Sequence, residues 1–121
     1  MTRVLIVDDS PTETFAFASV LRENGHEVIT ADNGADGVEI AQKEQPDVVL
    51  MDIVMPGLNG FQATRQLSKN NLTSHIPIII VTTKDQETDR VWGTRQGAKG
   101  YLVKPINESL LLSTIDTVIA A

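Results

Sequence analysis

Val4-Leu5-Ile6-Val7-Asp8-Asp9-Ser10-Pro11 is a run of four apolar residues that stops at two carboxylates and passes directly into a helix-start signal. An unbroken apolar run suits a strand covered on both faces, as in a parallel sheet. Ser10 can cap a helix, Pro11 fits its first position, and Glu13 three residues on completes a capping box. Strand, acidic turn and helix therefore follow one another without a linker.

The same phrase recurs along the chain. Val48-Val49-Leu50-Met51 stops at Asp52, Ile78-Ile79-Ile80-Val81 at Thr82-Thr83, and Tyr101-Leu102-Val103 at Lys104-Pro105. Val28-Ile29 and 101–103 are shorter and weaker, as edge strands are. Helical patterns follow over 11–24, 34–44, 60–68, 86–96 and 107–120; Gly25 ends the first, Asn33-Gly34 opens the second and Asn107-Glu108 the last. Alternation of this kind predicts an α/β fold, (βα)5, doubly wound, with a five-stranded parallel sheet and right-handed crossovers. A chain of 121 residues suits one domain, 1–121, and no attached output domain is expected.

Composition narrows the function classes. With 41% apolar residues a core can form without staples, and the absence of cysteine excludes a thiol nucleophile, a Cys-ligated zinc and a disulfide framework. The net charge is −6 with no basic stripe, so a duplex nucleic-acid partner is not expected. Met1-Thr2-Arg3 runs straight into the first strand without a signal-peptide pattern, and no apolar stretch approaches the ~20 residues of a membrane span. A cytoplasmic protein without membrane insertion is the expectation.

In an open parallel sheet, ligands collect at the carboxyl ends of the strands. That rule turns Asp8, Asp9, Asp52, Thr82 and Lys104 into one candidate site. Taken singly, each reads as a cap or a solvated turn residue; all falling at strand ends of one regular pattern reverses that preference. Three carboxylates crowded together cannot all ionise comfortably, and they suit Mg²⁺, a hard cation that prefers oxygen ligands. Asp9 and Asp52 are expected to ligate it directly, Asp8 directly or through water, with help from the Val54 backbone carbonyl. One Asp52 oxygen is then placed to attack a phosphoryl group, giving an aspartyl phosphate. Lys104 and the cation would neutralise the charge that arrives, and Thr82 would donate a hydrogen bond to it. Pro105 would fix the turn that aims Lys104, with a cis bond as one way of doing so.

These residues carry a family resemblance. Val4 to Ser10, Val49-Leu50-Met51-Asp52-Ile53-Val54-Met55-Pro56-Gly57-Leu58-Asn59-Gly60, Ile80-Val81-Thr82-Thr83 and Gly100-Tyr101-Leu102-Val103-Lys104-Pro105 together resemble the CheY-like receiver domain of two-component response regulators, end to end. The resemblance implies a flavodoxin-like sheet of order 2-1-3-4-5, for which CheY is a standing example. It implies Asp52 as phosphoacceptor, Asp8 and Asp9 as the metal-holding pair, Lys104 as the phosphate-contacting lysine, and Thr82 and Tyr101 as the switch pair. It also implies a sensor histidine kinase as phosphohistidine donor and no turnover enzyme. Downstream partners would dock on the face of the fourth helix, fifth strand and fifth helix, and the protein would be a monomer. Gly60-Phe61-Gln62-Ala63-Thr64-Arg65-Gln66-Leu67 and 81–93 are similar to stand-alone regulators of type IV pilus twitching motility. A role as phosphate sink for the kinase of a chemotaxis-like system is the alternative.

Val54 and Lys84 flank the expected phosphate and are read either as gates for hydrolytic water or as ordinary loop residues. Trp92 is read as packing locally rather than as a partner contact, His26 and His75 as surface residues, and Phe15, Phe17, Val20 and Leu21 as core or near-core. Two rivals stand beside the signalling reading. A phosphohydrolase that also forms an aspartyl phosphate would want a further acid where Val54 stands. A flavin module would want backbone amides where Asp8-Asp9 stands.

Overall fold

The computed structural model describes residues 2–121. Five strands and five helices alternate: β1 (Arg3–Val7), α1 (Pro11–Glu23), β2 (Glu27–Ala31), α2 (Gly34–Glu44), β3 (Val48–Met51), α3 (Gly60–Lys69), β4 (Ile78–Thr82), α4 (Glu87–Gln96), β5 (Gly100–Val103) and α5 (Glu108–Ala120). All strand pairs are parallel, in the order β2-β1-β3-β4-β5. The expected α/β fold, its sheet order and its two edge strands are all present, and helix ends differ from expectation by a residue at most.

The continuous apolar runs are explained by how they divide. Val4 and Ile6 of β1, Val48 and Leu50 of β3, and Ile79 and Val81 of β4 pack with Leu21 of α1 and Leu111 and Ile115 of α5. Their neighbours Leu5, Val7, Val49, Met51 and Ile78 point the other way, against Ala41 of α2 and Ala63 and Leu67 of α3. Alternate residues of one run thus feed two cores, because successive side chains of a strand leave opposite faces. A third, smaller cluster of Ile53, Ile80 and Ala98, with Phe61 and Tyr101 against it, lies between α3, α4 and β5.

Phe15 departs from the sequence reading. It is 72% exposed, whereas Leu21 is fully buried and Phe17 and Val20 are half-buried. The buried face of α1 is Ala18 and Leu21, and a residue six places before Leu21 lies roughly 240° round a helix of 3.6 residues per turn. His26 is half-buried rather than a surface residue: its Nδ1 is enclosed without a hydrogen-bond partner, while His75 is exposed as expected.

Candidate functional site

Strand register assembles the site. β1 and β3 end in register at Val7 and Met51, and the Asp52 N–H donates to the Val7 carbonyl at 3.0 Å, which sets Asp52 beside Asp8. The Lys104 N–H donates to the Thr82 carbonyl at 2.8 Å, which brings the end of β5 to the end of β4. The Lys104–Pro105 peptide bond is cis. Gly60 closes the loop after Asp52: its N–H donates to Ile53 at 2.9 Å, and a Cβ there would lie 2.0 Å from the Asp52 carbonyl oxygen.

Asp8 and Asp52 are 4% and 8% exposed, and Asp9 is open to solvent. A carboxylate oxygen from each of the three lies within 4.8 Å of the others. The Lys104 ammonium donates to Asp8 Oδ2 at 3.0 Å and to Glu13 Oε2, and stands 3.8 Å from Asp52 Oδ2. Three carboxylates therefore surround one ammonium. Burial pushes the Asp52 carboxyl up to about 6; the Lys104 charge and the hydrogen bond from Ile53 N–H oppose this, while Asp8 and Glu13 add to it. Burial works against the Lys104 charge, but the hydrogen bonds to Glu13 and Asp8 and the nearby Asp52 outweigh it, and its pKa is raised. Convergent hard oxygens, two of them buried, fit a divalent cation.

Residues 4–116 match the response regulator receiver domain. The chain belongs to that family. It is 66% identical over 120 residues to protein PilH of Pseudomonas aeruginosa, an alignment spanning 99% of both chains. Among solved structures it is similar to chemotaxis protein CheY4 of Vibrio cholerae, at 35% identity and a TM-score of 0.92 over 98% of each chain. It is also similar to the receiver domain of the P. aeruginosa sensor histidine kinase PA1611, which has a magnesium ion coordinated in its active-site cleft. That match has 28% identity and a TM-score of 0.92, covering 99% of this chain and 98% of the other.

In this receiver domain, residues 82, 84 and 101 form a chain of contacts. Thr82 is fully buried, and its Oγ1 accepts from the Lys84 N–H at 3.4 Å. The Tyr101 hydroxyl donates to the Lys84 carbonyl at 2.7 Å. Arg90 of α4 lies over the Tyr101 ring, 5.0 Å from its centroid. Burial first, then Asp89 and Asp85 against the opposing Arg90, pushes the tyrosine up to about 12, so its hydroxyl remains a donor at neutral pH. Gly93 of α4 leaves room for this packing, since a Cβ there would lie 2.8 Å from Ile80 Cδ1.

Val54 and the Lys84 side chain are exposed at the rim of the site. Trp92 is half-exposed and lines a groove between α3 and α4 with Phe61, Gln62 and Arg65, so local packing covers only part of it. The sequence reading missed Glu13 as a partner of Lys104. The expected capping box forms only by half: Ser10 Oγ accepts from the Glu13 N–H at 3.3 Å, but the Ser10 N–H goes to Asp8 Oδ1 at 2.8 Å. Asp8 takes the place the Glu13 carboxylate would have filled. A carboxylate two residues before the cap was the available signal.

Proposed function

We propose that this receiver domain accepts a phosphoryl group on Asp52 from a phosphohistidine of a sensor histidine kinase. The observation that carries this reading is the convergence of Asp8, Asp9, Asp52 and Lys104 at the carboxyl ends of β1, β3 and β5. An Asp52 oxygen attacks phosphorus, the O–P bond forms as the P–N bond breaks, and the histidine imidazole leaves with the bonding electron pair. Asp8, Asp9 and Asp52, with the Val54 carbonyl, would hold Mg²⁺, which when bound neutralises charge on the transferring group. Lys104 supplies a second positive charge from the β5 side. Thr82 would donate to a phosphoryl oxygen, and Val54 and Lys84 would meter the water that later hydrolyses it.

Movement of Thr82 toward the phosphoryl group loosens its hold on the Lys84 peptide, and with it the Tyr101 hydrogen bond. The face of α4, β5 and α5 then changes, and there Val91 and Leu110 are exposed apolar residues open to a protein partner. Similarity to PilH supports a place in a chemotaxis-like system that controls type IV pili and twitching motility. The cytoplasm is the proposed compartment; among the described residues no helix is long and apolar enough to cross a membrane.

Phosphotransfer from candidate kinases tests the reading, comparing wild type with Asp52→Ala, with and without Mg²⁺. Labelling is expected only for wild type with Mg²⁺. Equal labelling of Asp52→Ala would overturn the assignment, and rapid multiple turnover of a phosphomonoester would favour a phosphohydrolase.

A further inference from the structure

Lys104 is engaged on a side that the phosphoacceptor reading does not use. Its side chain is 8% exposed, and its ammonium lies among Asp8, Asp52 and Glu13. Asp8 has other duties, accepting the Ser10 N–H and contributing to the carboxylate cluster. Among the described residues the Glu13 carboxylate has no second partner. It belongs to α1, which also sets Phe17, one turn later on the same face, with its ring centroid 6.0 Å from the ammonium. Glu13 and Phe17 thus contact Lys104 from α1.

We propose that Glu13 is a positioning residue that holds Lys104 back from Asp52 at rest and yields it when the phosphoryl group arrives. The inference rests on the phosphoacceptor reading and extends it. A lysine ammonium has three donors and no other charge to offer, so Glu13 and a phosphoryl oxygen compete for it. The half-formed capping box is what frees Glu13 for this task, since Asp8 satisfies the Ser10 N–H instead. Glu13 is 40% exposed, at the mouth of the site, so its hold is weakened by solvent and can be exchanged. Release of Glu13 also carries the phosphorylation state to the first turn of α1, away from the α4–β5–α5 face.

The test uses beryllofluoride, a phosphoryl mimic, at saturating Mg²⁺. Glu13→Gln is expected to bind it about three- to tenfold more tightly than wild type, because Lys104 is no longer contested. Glu13→Asp, which keeps the charge on a shorter arm, is expected to fall between the two. In the Lys104→Met background the effect of Glu13→Gln should vanish, which a merely structural role of Glu13 would not produce. Backbone amide resonances of residues 13–15 should shift on beryllofluoride addition in wild type and stay still in Glu13→Gln. Unchanged affinity in a folded Glu13→Gln, or an effect that persists without Lys104, would overturn the inference and leave Asp52 as phosphoacceptor intact. No binding by wild type would remove both.

Discussion

Burial holds the Asp52 carboxyl up near 6, against an ordinary value of 3.8 in an unfolded chain. Between those values the folded protein binds more protons than the unfolded one, so stability falls as pH rises through that window. Above pH 6 the ionised carboxylate costs the fold on the order of 3 kcal/mol. Such a cost accords with the charged role proposed for Asp52. Asp52→Asn keeps an oxygen for the Ile53 N–H and removes the charge. In Mg²⁺-free buffer at pH 7.5 the variant is expected to be more stable than wild type by about 1–3 kcal/mol, with the gap closing toward pH 4. Urea unfolding at both pH values measures this, and equal stability at pH 7.5 would contradict it.

Among the elements, α3 and α4 differ in how they are fixed. The first helical residue of α3 is Gly60, pressed against the Asp52 backbone, and a complete capping box of Asn59 and Gln62 holds the same turn. Gly60→Ala would gain a little helix propensity, but its methyl group would meet the Asp52 carbonyl and the Ile53 Cα. A loss of about 2–3 kcal/mol is expected, while the exposed Gln66→Ala on the same helix should stay within about 0.5 kcal/mol. Chemical denaturation of the two variants checks this, and a neutral Gly60→Ala would show that the loop can shift. By contrast α4 has no side-chain cap, and its buried residues are Gly93 and Gln96. It meets Tyr101 of β5 and Ile80 of β4 at Gly93, so a change at β5 reaches it directly.

At the scale of the whole molecule, the sheet and the strand-end carboxylates were legible because each depends on near neighbours in sequence. Four apolar residues followed by Asp announce a buried strand and its polar tip wherever they occur. Glu13 was not legible in the same way: its partner is 91 residues away, and only the folded register brings β5 to α1. Phe15 misled because apolarity alone does not say which side of a helix faces the core. The link from Thr82 through Lys84 to Tyr101 runs through a peptide unit, and backbone partners leave no trace in residue identity.

Energetics limits what one phosphoryl group can do across this molecule. A charge-assisted contact to Lys104 contributes about 1.5–3 kcal/mol and a hydrogen bond from Thr82 about 0.5–1.5. Their sum falls short of the ~5.5 kcal/mol that moves a population from 1:99 to 99:1, and giving up Glu13 reduces it further. In the proposed switch, phosphorylation therefore biases the equilibrium and partner binding completes it. The Tyr101 hydrogen bond to Lys84 then acquires a meaning beyond packing. A signalling device is judged by its silence as much as by its response, and in the proposed switch this bond would set the noise floor. Tyr101→Phe is expected to raise the unphosphorylated population of the phosphorylated-like conformer roughly two- to twelvefold, as read by NMR relaxation dispersion. An unchanged population would show that quiet is kept elsewhere. If the bond does set that floor, a cell relying on this regulator owes the sharpness of its threshold to one phenolic proton.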